Sequence, residues 1–358
     1  PKITEDDLVD RLDLRNTLSI VIDPIGARDK DDALSYHIDD NGNQVVGIHI
    51  ADVSHYVKED TKLYEEAFKR GTSVYLVDRV VPMFPEVLSN GICSLHPNED
   101  KLAFSVLLTI NDKGDIIDKW FGKTIIHIDK DYSYEEAYDD INDSTKVDLI
   151  SLGLKSLCDI SKTFRSKRMN SDTILFNKSE IRFKLDKDNK PTTVYEKKQN
   201  EANFLIEEFM LMANNSVGEI ISKKLKKGIY RFHDEPDTER IEELSMICKN
   251  FGYEFDINDV RKSINNLVKE TIDTPEENMM NTLAIRSMKK AIYSSEDRGH
   301  WGLGKIFDTY THFTSPIRRF SDIQSHLMLS DILKITNNKV KDMEKVCEHI
   351  NHREKMAT

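Results

Sequence analysis

Positive charge, cysteine and long apolar runs are all scarce in this chain, and each shortage excludes something. The 358 residues carry 51 Lys and Arg against 63 Asp and Glu, a formal net charge of −12. An acidic average argues against a surface that grips phosphates throughout, because nucleic-acid backbones are held by cations. A local basic channel can still coexist with an acidic exterior. The four cysteines, Cys93, Cys158, Cys248 and Cys347, lie far apart and lack metal-ligand spacing. They read as free thiols of a reducing compartment, so a cytoplasmic location is expected. Apolar runs such as 104–110 fall well short of the roughly 20 residues of a membrane span, and no membrane association is expected. The N-terminus, PKITEDDLVDRLDL, is polar and acidic and has no signal-peptide core. The chain opens on Pro1 and closes on EKMAT, which reads as a piece of a longer protein.

What is present suffices for a sizeable core. Hydrophobic residues make up 39% and charged residues 32%, in a length that suits two ordinary domains or one large one. The first half reads as β. ALSYHI and QVVGIHIADV flank DDNGN, where Asn41-Gly42 is a strong hairpin signal. KLAFSVLLTI and IIDKWFGKTIIHI flank NDKGD, and SEIRFKL and TTVYEK flank DKDNKP, as two more hairpins. KEDTKLYEEAFKRG predicts a short helix closed by Gly71, and VVPMFPEVLSNG a proline-bounded loop. The second half reads as α, with helices predicted over 200–228, 238–252, 280–295, 321–335 and 341–356. Strands first and helices second predict an α+β fold, a mixed or antiparallel sheet in the first half packed with helices mostly from the second. No Pro/Gly/Ser-rich linker divides the halves. One large domain is therefore expected over 16–340, after a linker at 1–15 and before a terminal helix at 341–358.

The stretch VIDPIGARDKDDALS (21–35) places Asp23, Asp29, Asp31 and Asp32 within ten positions. A generic acidic run is most often a solvated turn. Here the apolar run LSIVID delivers Asp23 at its end, and Gly26 permits a tight turn. Asp29 and Asp31 are two apart and share a face in extended chain; Asp32 joins them if the chain kinks. Held together, such carboxylates raise one another's pKa and call for a cation. An EF-hand fits poorly, with Leu34 at its sixth position and Asp40 at its twelfth. A Mg2+ site of few carboxylates plus phosphate oxygens fits better. In such sites metal ions activate water and stabilise a leaving oxygen.

The run from Asp23 to Ala33, D-x-x-x-A-R-D-x-D-D-A, resembles the catalytic signature of the ribonuclease II/ribonuclease R family. Further blocks resemble that family in order: RLDLRN (11–16), GIHIADVSHYV (47–57), RGTSVYLVDRVVPMFPEVLSNGICSL (70–95), NFLIEEFMLMAN (203–214), YRFHDEPDTERI (230–241) and RGHWGLGKIFDTYTHFTSPIRRFSDIQSHL (298–327). Together they span roughly 11–335, and ordered blocks are far more specific than one short motif. The resemblance implies a Mg2+-dependent, hydrolytic, processive 3′→5′ exoribonuclease, with Mn2+ as a possible substitute. It implies a buried channel for the 3′ end of single-stranded RNA, release of 5′-nucleoside monophosphates, a monomer, and flanking OB-fold RNA-binding domains outside this stretch.

Site residues carry over position by position. Asp23, Asp29, Asp31 and Asp32 match the four catalytic aspartates and are expected to hold the metal. Asp31 matches the one that positions or deprotonates the attacking water. Arg318, in TSPIRRF, matches the catalytic arginine, whose guanidinium stabilises charge developing at the scissile phosphate. Arg319 is expected either on a neighbouring phosphate or in a structural ion pair. Tyr75 matches the tyrosine that stacks on the terminal base, with Phe176 or Phe183 as the other face. Glu207 and Glu208 sit in a helix that is apolar almost all round, where carboxylates are rare unless paired. The stripe Asn200, Asn203, Glu207 and Asn214 is expected to face the RNA; the alternative for either glutamate is a structural Glu–Arg pair. His312, with Tyr310 and His300, is placed along the channel, though such residues are more often structural. Lys223, Lys224, Lys226 and Lys227 suit a helix C-terminus. Lys30 departs from the family, which usually has an apolar or aromatic residue there, and alternation points it away from Asp29 and Asp31. The competing functions are an RNA-binding module that kept the fold without catalysis, and a DNA 3′-exonuclease.

Overall fold

The computed structural model describes residues 3–174, 176, 180–187, 190–337 and 342–358. Seven strands form the main sheet. From edge to edge they are Leu12–Leu14, Ile116–His127, Asp100–Ile110, Gln44–Ala51, Asp32–Ile38, Ser19–Asp23 and Lys130–Ser133. The five middle strands are antiparallel to one another, while each edge strand runs parallel to its one neighbour, so the sheet is mixed. The two main hairpins turn where their glycines allow, Gly42 at φ 83° and Gly114 at φ 73°. The third hairpin pairs Glu180–Leu185 with Pro191–Lys197 apart from the main sheet; its turn residues 188 and 189 lie outside the described residues, as does the expected boundary at 340–341.

The strand Gln44–Ala51 is buried from Val45 to Ala51, on both faces of the sheet. That suits a central strand covered on two sides. Helix Glu201–Lys224 packs on this strand and on helix Phe320–Ile332, and helix Leu149–Met169 packs on it in turn. Phe320–Ile332 is buried along nearly its whole circumference, as expected of an interior helix. Gln324 donates to the Tyr64 hydroxyl at 2.7 Å and His326 Nε2 lies 2.9 Å from the Phe313 carbonyl, while His326 Nδ1 is buried without a partner. A smaller hydrophobic cluster, around Leu244, Cys248, Ile264, Leu267, Met280 and Trp301, joins helices Thr238–Asn250, Val260–Glu270 and Glu277–Ser287.

Four elements depart from the sequence reading. Helices Tyr134–Asn142 and Leu149–Met169 fall in the half read as β, and the second buries Leu154, Leu157, Ile160 and Phe164. The helix predicted over 280–295 ends at Ser287, and Ile292–Ser294 instead pairs with Tyr230–Phe232. The proline-bounded loop contains a π-helical turn, Val87–Ile92. Helix Lys62–Arg70 ends as predicted on Gly71 at φ 73°, where a Cβ would meet Arg353 Cβ at 2.6 Å. Among the described residues no helix is long and apolar enough to cross a membrane, and all four cysteines are buried and unpaired.

Candidate active site

The strand Ser19–Asp23 pairs with Asp32–Ile38 only through Ser19 and Ile20, then pairs on its other side up to Asp23↔Ser133. Past Ile20 the first two strands are no longer paired, and the loop carrying the acids lies between their ends. Gly26, at φ 82°, allows the turn that the Ala27 N–H closes on the Pro24 carbonyl at 3.0 Å. The loop is then gripped by its backbone. Lys30 N–H donates to Ser94 Oγ at 3.0 Å, Leu95 N–H to the Lys30 carbonyl at 3.1 Å, and Ala51 N–H to the Asp31 carbonyl at 2.8 Å.

Two distant segments close over this loop as one piece. Ser73 N–H and the Thr72 hydroxyl both donate to the Arg318 carbonyl, at 2.9 and 3.0 Å, and Phe320 N–H donates to the Gly71 carbonyl. The joined segments deliver Tyr75 and Arg318 together. The Tyr75 hydroxyl donates to Asp29 Oδ2 at 2.6 Å, while Tyr75 itself stays 51% exposed. Asp31, 4% exposed, accepts the Ile317 N–H at 2.8 Å, and Arg318 Nε lies 3.7 Å from its other oxygen. Among the described residues the Arg318 guanidinium spends only one further bond, to Ser315 Oγ at 3.0 Å, and keeps donors for an incoming anion.

The electrostatics match crowded acids. Burial, then the Asp32 and Asp31 charges, push Asp23 up to about 8. Burial also raises Asp31 well above the carboxylate range against the pull of Arg318, and raises Asp32 to about 6 against Arg318 and Arg319. Asp23 Oδ2 is buried without a hydrogen-bond partner. A dry, unpartnered acceptor beside two further raised carboxyls is what a hard, oxygen-seeking dication satisfies. Among the described residues no three of these side chains converge on one ligating centre, because Asp29 turns to Tyr75 and Asp31 to Ile317 and Arg318.

The raised acids set a pH dependence. A carboxyl raised in the folded state stabilises it below the unfolded pKa, and that contribution is lost as pH climbs through the folded value. The buried histidines His49 and His300, lowered by burial to about 3, and His326, lowered to about 4, act oppositely. Their contribution is complete above the unfolded histidine value of roughly 6.5. From about pH 6.5 to 8 the acids dominate, opposed only near the top of the range by Lys123, which burial lowers to about 8, and the chain in EDTA should lose about 1–2 kcal/mol across it. Scanning fluorimetry should show the melting temperature falling over that range, Mg2+ restoring it, and Asp23→Asn flattening it. A melting temperature that rises instead would contradict the assignment.

The remaining expected residues fall into place unevenly. Glu208 requires correction as an RNA contact. It is 1% exposed and bound by Arg168 through Nη2 and through Nε at 3.1 Å, the structural pair weighed as the alternative. Glu207 also accepts from Arg168, at 3.0 Å, but its side chain is 39% exposed. The polar stripe is likewise spent internally. Asn200 and Asn203 cap the helix, and Asn214 bonds the Tyr310 hydroxyl at 3.0 Å and the Phe313 N–H at 2.8 Å. Arg319 takes the ion-pair option, with Asp322 at 2.7 Å, and its Nε is buried without a partner. His312 lies in a row of rings, His300, Tyr310, His312 and Tyr293, with its Nδ1 2.7 Å from the Tyr293 hydroxyl. Phe176 packs on the smaller hydrophobic cluster, and Phe183 is exposed on the outlying hairpin. Lys30 does point away from Asp29 and Asp31: it is buried and ion-paired with Asp131.

Comparison with known proteins places this architecture. The sequence matches the RNB domain over residues 11–335. The chain belongs to the RNB family. DIS3-like exonuclease 2 of Schizosaccharomyces pombe is 37% identical over 382 aligned positions, covering 99% of this chain and 41% of that protein. An Arabidopsis thaliana relative, 35% identical over 360 positions, covering 93% of this chain and 34% of that protein, bears the name Inactive exonuclease DIS3L2. The solved ribonuclease R of Mycoplasma genitalium, in complex with ribose-methylated single-stranded RNA, superposes with a TM-score of 0.91 at 25% identity, over all of this chain and 58% of that one. The chain thus spans well under two thirds of the length of these relatives.

Sequence reasoning missed two parts of this RNB fold. One is Arg168, which lies on the unpredicted helix Leu149–Met169. The other is a buried charge cluster in which Asp52 accepts from Arg11 Nη2 at 2.8 Å, Lys123 Nζ at 2.6 Å and Ser54 Oγ at 2.8 Å. Burial alone would raise Asp52, but the Lys123 and Arg11 charges outweigh it and hold it far below the carboxylate range. The same burial lowers Lys123 to about 8, leaving it charged at neutral pH. RLDLRN and ADVSHYV supplied the Arg11 and Asp52 signals, but nothing local linked them.

Proposed function

We propose that this chain is the catalytic portion of a processive 3′→5′ exoribonuclease that hydrolyses single-stranded RNA to 5′-nucleoside monophosphates. One observation carries the reading: Asp29, Asp31, Tyr75 and Arg318, from three separate parts of the sequence, meet around one acidic loop. Asp23, Asp29, Asp31 and Asp32 would hold Mg2+, or Mn2+ in its place, and a bound cation there supplies charge neutralisation and a more acidic water. Arg318 offers its free guanidinium donors to the scissile phosphate as negative charge builds on its oxygens. Asp31 orients the attacking water and takes its proton, with its own carboxylate fixed by the Ile317 N–H. Tyr75 presents a half-open ring to the terminal base, its hydroxyl anchored on Asp29. Stacking of that kind contributes about 1–3 kcal/mol per base and tolerates any base.

The test is incubation of the chain with saturating 3′-labelled oligoribonucleotide and Mg2+, beside a DNA oligomer of the same sequence. Label appearing as mononucleotide from the first time points, with the DNA persisting, is the expected result. Binding is expected to be weak without the flanking RNA-binding domains, hence the saturating RNA. RNA that is bound but never shortened would make this an RNA-binding module that has lost catalysis. Equal loss of both oligomers would make it a general 3′-exonuclease.

A further inference from the structure

Lys30 is a buried lysine inside an acidic loop, and its placement carries an assignment of its own. Its backbone is fixed on both sides by Ser94 and Leu95. Its side chain leaves the loop opposite to Asp29 and Asp31 and ends on Asp131, with 8% of its surface left exposed. Buried ammonium groups persist only when paired. Asp131 stands on the edge strand Lys130–Ser133, two residues from the partner of Asp23, opposite Val21. The pair therefore flanks the strand that ends in Asp23, whose Oδ2 has no partner. Asp131 and Ser133 are two apart on their strand and so share its face, which sets the Asp131 carboxylate, with the Lys30 ammonium paired to it, on the side of the Ser133 position that lies opposite Asp23.

We propose that Lys30 and Asp131 are positioning residues that set the divalent-cation affinity of the Asp23 cluster, Lys30 weakening it and Asp131 strengthening it. The assignment rests on the cation-site reading given above. A cation approaching Asp23 meets the buried ammonium as a repulsive charge and the carboxylate, 33% exposed, as an attractive one. With both present the two effects largely offset each other. Removing either leaves its partner unopposed, so the two substitutions act in opposite directions. A pair that merely held the loop together would behave otherwise, because loss of either half would loosen the same contact and weaken cation binding alike.

The experiment is calorimetric titration of the chain with Mn2+ alone, without RNA, for the unsubstituted protein, Lys30→Met, Asp131→Asn, the double variant, Lys30→Arg and Asp23→Asn. Lys30→Met should bind Mn2+ roughly fivefold more tightly and Asp131→Asn roughly fivefold more weakly, from one charge near a dication. The double variant and Lys30→Arg should return to within about twofold of the unsubstituted chain. Circular dichroism melts of each variant establish that it is folded, and Lys30→Arg supplies a charge-keeping comparison if Lys30→Met is not. Shifts of the same sign in Lys30→Met and Asp131→Asn, or no shift in either, overturn the proposal while leaving the cation site standing if Asp23→Asn abolishes binding. Absence of saturable binding in the unsubstituted chain overturns both readings.

Discussion

Replacing Asp31 by asparagine should lower the rate of RNA shortening by about a thousandfold or more while leaving RNA affinity within a few-fold, the size expected when a positioned proton acceptor is removed. The substitution is chosen because it spares the fold. Asparagine keeps a carbonyl oxygen for the Ile317 N–H, so the 2.8 Å bond that ties the acidic loop to the arginine segment survives. What disappears is the negative charge that faces Arg318 at 3.7 Å and the capacity to take a proton. Arg318→Ala should act on the same step from the other side, costing about 10²–10³ in rate, as for other donors aimed at developing charge. Because the two groups act as a unit, the double variant should be little worse than Asp31→Asn alone. Single-turnover cleavage of a labelled oligoribonucleotide, with affinity measured separately by anisotropy, reads both quantities. An unchanged rate in Asp31→Asn would remove Asp31 from the mechanism.

The second large effect concerns stability. Asp52→Ala should lower folding stability by about 3–5 kcal/mol, because it strands two buried cations. Arg11 and Lys123 have side chains only 6% and 9% exposed and share the one fully buried carboxylate. For a chain of this length the loss corresponds to a drop in melting temperature on the order of 5–10 °C. The exposed Asp13, paired with Arg15 at 2.5 Å but with half its side chain in solvent, supplies the contrast. Asp13→Ala should shift stability by less than about 1 kcal/mol, as exposed pairs do. Equal losses in the two variants would show that burial is not what makes the Asp52 cluster matter.

Local chemistry explains what could be read from the sequence. Asn41-Gly42 and Lys113-Gly114 announce their hairpins because a positive φ demands a small residue at that point, and Gly71 marks its helix end for the same reason. The helix Leu149–Met169 does carry a helical signal, with Leu154, Leu157, Ile160 and Phe164 recurring at intervals of three and four, but it lies between hairpins whose strand signals dominate that half of the sequence. The four aspartates and Arg318 stood out through their ordered blocks, yet their division of partners did not. That Asp29 meets Tyr75, Asp31 meets Arg318 and Lys30 meets Asp131 depends on contacts between residues 46, 287 and 101 positions apart. Glu207 and Glu208 show the same limit: helical spacing placed both near a polar stripe, but only the packing of a second helix decided that Arg168, with Arg165 beside it, buries Glu208 in ion pairs.

The bond from Ile317 to Asp31 closes a loop of 286 residues, and that from Thr72 to Arg318 one of 246. Contacts of such long sequence separation form late, after the chain has lost the entropy of bringing its ends together. A polypeptide emerging from the ribosome first exposes the carboxylates and folds their sheet around them. Until residue 318 follows, that intermediate has an acidic loop with no arginine opposite. The acidic half of the site thus exists before its cationic half, and the chemistry proposed for it waits on the arrival of residue 318.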